Sequence, residues 1–315
     1  MLRSARRARL EARYELMQPD HSEVLTLIAG ADAGHRLPEI VSKVAGALRA
    51  QIDWLSPGLA CDLLFDTAAH GAFEIGPLIK CSIASAPIDF IVQPAQGRRK
   101  QVFVADLEST IIENEMLDEL ADFVGLRDHV AEITRSAMNG ELDFAAALSE
   151  RVALLRGLPA TVLDEAAGRI RVMPGAGTLL ATLRAAGVRT ALVSAGFTVF
   201  AERVAAELGF DRVVANRLDI AAGRIVGTVA APIATRETKR DTLRKLAQEC
   251  GVPLADTLAI GDGANDLPML EAAGLGIAYR AKPAVAAAAR WRLDHADLTG
   301  VLYAQGYRDT ELVEP

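Results

Sequence analysis

An apolar run, Val-Phe-Val-Ala at 102–105, ends in Asp106, and Glu108, Ser109 and Thr110 follow at once. A strand that delivers two carboxylates and two hydroxyls at its C-terminal tip needs a reason, because buried polar groups are costly without partners. Three further polar groups stand at or beside the ends of other apolar runs: Ser194-Ala195-Gly196, Lys239, and Gly261-Asp262-Gly263-Ala264-Asn265-Asp266. Together they suit phosphoryl transfer through an aspartyl intermediate, with Asp106 as nucleophile. A carboxylate beside a phosphate needs a divalent cation to suppress repulsion, and Mg²⁺ takes carboxylates, carbonyls and waters. Asp262 and Asp266 supply the further acids. Ser194, Lys239 and backbone N–H groups near Gly196 could hold the phosphoryl oxygens. Glu108 is placed to protonate the leaving oxygen and then to activate water.

Each piece alone has a plainer reading. A carboxylate at a strand end commonly caps the next helix, and Ser109 and Thr110 are ordinary capping residues. Ser194-Ala195-Gly196 alone is a turn, and Lys239 alone is a solvated helix residue. Gly-Asp-Gly followed by Asn265 and Asp266 is a metal-site pattern and resists that treatment. The conjunction decides: these signals, in chain order and at strand ends, argue for an acid-driven phosphatase.

The elements that must position these groups follow from hydrophobic patterning. From Gln101 onward, strand-like runs occur at 102–106, 189–194, 212–215, 257–261 and 275–278. Most are continuous rather than alternating, the pattern of strands buried on both faces of a parallel sheet. Helical segments at 176–186, 198–208, 236–250 and 266–273 separate them. This alternation predicts an open, doubly wound α/β sheet, in which ligands bind beyond the carboxyl ends of the strands. Between the first two strands lies a long helical stretch, 115–170, which should form a cap. Residues 215–230 read as a hairpin turning at Ala222-Gly223. Upstream, 24–29 reads as a strand and 37–50 as a helix with Ile40, Val41, Val44, Ala45 and Leu48 on one face. ACDLLF and IDFIVQP read as further short strands. This predicts a small α+β module ending at the polar junction QPAQGRRK, read as a linker. The Arg-rich stretch 1–20 reads as a frayed extension, with Met17 as an alternative start.

The 315-residue chain is 51% hydrophobic and 24% charged, a balance that suits a globular protein with a sizeable core. A formal net charge of -7 argues against a general nucleic-acid binder, which needs a basic face. It is compatible with an anionic substrate, since a metal and one or two cations reverse the local field. Cys61, Cys81 and Cys250, with no CxxC or Cys/His cluster, fit a reducing cytosol and speak against a zinc site. No apolar stretch is long enough to span a bilayer. The expectation is a cytoplasmic protein acting on a small molecule, with neither nucleic acid nor membrane as partner. Homodimerisation or amino-acid sensing is left to the N-terminal module.

Asp106-Leu107-Glu108-Ser109-Thr110, then Glu115-Met-Leu-Asp118-Glu119-Leu-Ala121, SAMNGELDFAAALSERVALLRGLP at 136–159, Ser194-Ala195-Gly196-Phe197, Lys239 and Gly261–Asp266 occur in this order. Over about 100–300 the chain thereby resembles the phosphoserine phosphatases of the haloacid dehalogenase superfamily. A fainter likeness at 20–95 is to the regulatory, ACT-like module of long bacterial members. The resemblance implies a Rossmannoid phosphatase domain over 98–315 with a helical cap at about 113–172, preceded by a module over 21–97. It implies O-phosphoserine as substrate, with phosphohomoserine or a catalytically weak regulatory role as alternatives. It implies Mg²⁺ held by Asp106, the backbone carbonyl of Glu108, and Asp262. By the same resemblance Glu115 and Arg151 grip the amino and carboxylate groups of serine. Met138 and Phe144 close the cap, and Asn265 contacts phosphate or water. Taken by themselves, Arg151 reads as a surface helix residue and Phe144 as core. Glu113, Asp118 and Glu119 read as helix-dipole partners on a solvated face.

Two positions depart from the family pattern. Glu108 stands where the family has aspartate, and Ala195 where it has glycine. A methyl group at 195 restricts any conformation with positive φ. Glutamate is one methylene longer, so its carboxyl must fold back to occupy the same place, and misplacement of about 1 Å costs on the order of 100-fold in rate. Replacing Glu108 by aspartate is expected to leave phosphatase turnover equal or raise it; a sharp loss would mean that the pocket is adapted to glutamate.

Overall fold

The computed structural model describes residues 22–66, 75–138 and 142–315. Its first unit runs β1 (Glu23–Ala29), α1 (Leu37–Leu48), β2 (Gln51–Ser56), β3 (Ala60–Phe65), α2 (Ile75–Ile83) and β4 (Ile88–Pro94). The four strands pair antiparallel in the order β2-β3-β1-β4. Leu25, Leu27, Leu63 and Phe65 pack under both helices, against Val41, Val44, Leu48 and Ile79. Helix α1 follows from that spacing and from Pro38 in its first turn, where the missing N–H costs nothing.

The second unit is built on a parallel six-stranded sheet. Its strands are β5 (Val102–Ala105), β6 (Arg189–Phe197), β7 (Arg212–Asn216), β10 (Thr257–Gly261), β11 (Leu275–Tyr279) and β12 (Trp291–Leu293), in the order β12-β11-β10-β5-β6-β7. Phe103, Leu192 and Leu258 face one helical layer, which includes α7 (Ala176–Ala185) and α8 (Thr198–Leu208). Val102, Val104, Val193 and Ala259 face the other, formed by α9 (Arg236–Cys250), α10 (Leu267–Ala272) and α11 (Pro283–Ala288). Burial on both faces explains the continuous apolar runs. The chain moves outward from β5 to β7, then crosses back to β10 on the other side of β5. That reversal opens a crevice at the carboxyl ends of β5 and β10, where open α/β sheets take their ligands. Before the crossing, the hairpin β8 (Leu218–Ala221) and β9 (Arg224–Val229) turns at Ala222 and Gly223, both with positive φ, as tight hairpin turns require.

Between β5 and α7 the chain forms the cap: α3 (Met116–Asp122), α4 (Arg127–Met138), α5 (Phe144–Ala153) and α6 (Val162–Ala167). Its entry and exit strands are tied together. Ile112 bridges to Val172, Glu113 N donates to Arg171 O at 2.8 Å, and Arg171 N donates to Asn114 Oδ1 at 2.8 Å. The solvated face expected for the acidic helix holds for Glu113 alone. Glu119 is buried and accepts from Asn114, Arg127 and Arg169; Asp118 is buried and accepts from Thr134 at 2.8 Å. Tertiary neighbours override the helix-surface reading of both.

The sheet face of the first unit opposite its helices packs on the C-terminal part of the second. Ile28 and Ile91 share an apolar cluster with Leu298 and Leu302. Gln93 Nε2 donates to Ala304 O at 2.6 Å, and the Asp89 carboxylate accepts from the backbone N–H groups of Asp294, His295 and Ala296. The polar junction at 93–100 is packed, not free: Arg98 pairs with buried Asp62 and donates to Thr26, and Lys100 Nζ donates to Gly97 O and Ala255 O. Among the described residues no helix is long and apolar enough to cross a membrane.

Candidate active site

Asp106 continues the line of β5, its backbone N–H donating to Ile260 O of β10 at 3.0 Å. The residue is 3% exposed. Its Oδ1 takes the N–H of Leu107 at 2.7 Å and faces Lys239 Nζ at 2.7 Å. Both contacts fall on one oxygen, which leaves Oδ2 unengaged among the described residues. The same ammonium donates to Asp266 Oδ1 at 2.7 Å, and Asp266 Oδ2 accepts from Gly263 N at 3.0 Å. Burial alone would pull Lys239 toward neutrality, but Asp106 and Asp266 outweigh it and hold its pKa above the ordinary value. Burial and the nearby Asp266 raise the Asp106 carboxyl well above the usual range, with Lys239 opposing them. The glycines of the 261–266 loop are spatial necessities. A Cβ on Gly261 would overlap Asp266, and one on Gly263 would overlap Asn265 Oδ1.

Asp262, at the end of β10, is fully buried, and Thr110 Oγ1 lies 3.5 Å from its Oδ1. Lys282 Nζ lies 2.9 Å from Oδ2 as an ion pair, though Oδ2 has no hydrogen-bond partner of good angle. One ligand atom each from Asp106, Asp262 and Asp266 fits within 4.8 Å of the others. Two observations suit a hard cation here: the donors are all oxygens, and the buried Asp262 Oδ2 and Asn265 Oδ1 lack hydrogen bonds. Both oxygens of Asp266 are already engaged, so its place is to hold Lys239 and the loop.

The Glu108 carboxylate is held by the cap. Oε1 accepts the N–H of Met116, at the first turn of α3, at 2.9 Å. The longer side chain fits because residue 196 is glycine: a Cβ there would lie 2.7 Å from Glu108 Oε2. Burial raises the Glu108 pKa, opposed by that N–H and by Arg151. Ser194 is buried and its Oγ accepts the N–H of Gly196 at 2.8 Å. Ala195 is not among the residues with positive φ, so its methyl group meets no backbone penalty. Asn216, at the end of β7, fixes this loop by donating to Ala195 O at 2.6 Å while accepting from Ala234 N.

The cap supplies the opposite wall. Ser109 adopts φ 55°, an uncommon conformation for a non-glycine residue, and its Oγ donates to Glu115 Oε1 at 2.7 Å. Burial, Glu108 and Asp262 raise the Glu115 pKa well above the carboxylate range. Arg151 is buried, not on the surface; its Nη1 donates to Thr134 Oγ1 at 2.7 Å, and Thr134 donates to Asp118. Asp106, Glu108, Glu115, Thr134, Arg151 and Asn265 line one cavity. Met138 ends α4 and Phe144 begins α5; their side chains lie outside the described residues. Lys282, Asn216 and Thr134 escaped the sequence reading, in which Asp118 is only a helix-dipole partner on a solvated face. Lys282 alone carried a signal, since it follows the end of β11 on the rim where the other groups gather.

The sequence model of the haloacid dehalogenase-like hydrolases matches residues 103–271, from β5 through α10. The chain belongs to the haloacid dehalogenase-like hydrolase family. Phosphoserine phosphatase SerB2 of Mycobacterium tuberculosis is 46% identical over 215 residues, 68% of this chain and 53% of that protein. The phosphoserine phosphatase of Lactococcus lactis is 43% identical over 203 residues, 64% of this chain and 94% of that one. The chain thus spans about half the length of the mycobacterial relative. The crystal structure of a probable phosphoserine phosphatase from Vibrio cholerae superposes with a TM-score of 0.72 at 31% identity, covering 93% of this chain and 88% of that one. Within this hydrolase fold, the contact between Glu108 and Gly196 yields a prediction. Gly196→Ala should lower hydrolase turnover by roughly 100-fold, because it pushes the carboxyl by about 1 Å, and Glu108→Asp in the same chain should recover part of the loss. Steady-state kinetics of the two single variants and the double variant checks this; additive losses would mean that the two residues do not share the space.

Proposed function

We propose that this protein is a Mg²⁺-dependent phosphoserine phosphatase of the cytoplasm, releasing serine from O-phosphoserine in serine biosynthesis. The reading rests above all on the buried Lys239 ammonium, 2.7 Å from Asp106 and 2.7 Å from Asp266, at the crevice beside β5 and β10. Such an ammonium favours the ionised form of an acid in an apolar site and stands ready for phosphoryl oxygens. The similarity to relatives named phosphoserine phosphatases supports the choice of substrate. The boundaries that suit this reading are a module over 21–97 and a phosphatase domain over 98–315.

Asp106, the backbone carbonyl of Glu108, and Asp262 would hold Mg²⁺, which supplies the charge that lets a phosphoryl group approach these carboxylates. Asp106 Oδ2 attacks phosphorus, and the bond to the serine oxygen breaks. Glu108 gives that oxygen its proton; the pKa raised by burial suits a group that must arrive protonated. Glu108 then takes a proton from water, the water oxygen attacks the aspartyl phosphate, and phosphate leaves with Asp106 restored. Lys239, Asn265, the backbone at Ala195, and Ser194, whose Oγ the Gly196 N–H orients, hold the phosphoryl oxygens. Glu115 pairs with the substrate ammonium, and Arg151, oriented by Thr134, takes its carboxylate in a planar fork. Met138 and Phe144 close the cap over the substrate.

The test is phosphate release from phosphoserine, phosphothreonine, phosphohomoserine and a sugar phosphate, with Mg²⁺ and with a chelator. Phosphoserine should be preferred and the chelator should abolish release. Preference for the sugar phosphate, or release indifferent to chelation, would contradict the reading.

A further inference from the structure

Lys282 sits where none of the roles above requires a residue. It follows β11 in the segment Tyr279-Arg280-Ala281-Lys282-Pro283, and its backbone N–H donates to Asp262 O at 3.0 Å. The loop is therefore anchored to the very residue whose carboxylate its side chain meets. Nζ lies 2.9 Å from Asp262 Oδ2 and 4.0 Å from Glu115 Oε1. It spans an acid of the candidate metal cluster and an acid of the substrate wall. The two lysines of the site differ in confinement: the Lys239 side chain is 1% exposed and locked between two acids, whereas that of Lys282 is 29% exposed. Lys282 can withdraw toward solvent; Lys239 cannot. Asp262 has no other cation within ion-pair distance among the described residues, so without Lys282 only the farther Lys239 offsets the repulsion between its buried carboxylate and Asp266.

We propose that Lys282 is an internal counter-cation of the metal site, holding the Asp262 carboxylate when no divalent ion is bound and opposing that ion when it enters. The inference rests on the reading of Asp106 and Asp262 as metal ligands. Two like-signed cations drawn to one carboxylate compete, and by linkage the free energy each loses to the other is the same. Lys282 stabilises the metal-free protein and weakens metal affinity, keeping the ion exchangeable. The positive charge produces the effect, so arginine should reproduce it and methionine should not.

The experiment is calorimetric titration of chelator-stripped protein with Mg²⁺, with thermal unfolding of the same samples, for wild type, Lys282→Met and Lys282→Arg. In Lys282→Met the metal-free midpoint should fall and Mg²⁺ should bind roughly tenfold more tightly, within the range of ordinary site–site coupling. The midpoint gained on adding saturating Mg²⁺ should be correspondingly larger than in wild type. Lys282→Arg should stay near wild type on each measure, and it keeps the test decisive if the methionine variant folds poorly: an arginine variant that binds as tightly as predicted for methionine overturns the charge argument. Unchanged or weaker Mg²⁺ affinity in Lys282→Met overturns the inference alone. Wild-type protein that takes up no Mg²⁺ removes the metal reading itself, and this inference with it.

Discussion

One ammonium group, buried between two carboxylates, is the interaction on which the site depends. Lys239 and Asp266 are almost wholly excluded from water, and Asp106 is nearly so. Charges in such a place are tolerated only when paired and hydrogen-bonded, and deleting one member of a buried pair costs about 3–5 kcal/mol. The arrangement meets that condition. Lys239 serves both acids, Leu107 N serves Asp106, and Gly263 N serves Asp266. The glycines at 261 and 263 exist in this account to let Asp266 and Asn265 fold back into the loop. What looks in the sequence like a loop motif is a device for carrying one side chain to one lysine.

The topology explains why these groups meet. Parallel strands deliver their ends to one rim, and the reversal of strand order between β10 and β5 opens the crevice there. The core of the sheet gives the lower wall, with Asp106, Asp262, Ser194 and Lys239. The cap gives the upper wall, with Glu115 and Arg151, and its two connecting strands are clamped through Asn114. Glu108 joins the walls: it belongs to the strand tip but is held by the first N–H of the cap helix. A carboxyl group fixed at that seam is positioned by cap and core together.

Much of this was legible in the sequence because strands buried on both faces write themselves as unbroken apolar runs, and polar residues at their ends stand out. The central strands follow that rule closely. The parts that escaped obey tertiary rather than local rules. Strands β2 and β12 are edge strands of short or mixed character, with Gln51, Ile52 and Asp53 in one and only Trp291–Leu293 in the other. Asp118 and Glu119 carry charge at positions that resemble a helix surface, yet Thr134, Arg127 and Arg169, none adjacent in sequence, bury and pair them. Arg98 lies in a basic run that reads as linker, and only the fold brings Asp62 and Thr26 to it. Lys282 follows an apolar run, but its place beside Asp262 shows only once β11 is known to end beside β10.

The central claim is that Asp106 accepts the phosphoryl group while cations around it mask the repulsion. Rapid acid quench of the enzyme with phosphoserine carrying labelled phosphate, followed by peptide mapping, tests it most directly. The account predicts label on the peptide containing Asp106 in the wild type and none in Asp106→Asn. Label that persists in that variant, or that maps to another residue, would contradict it.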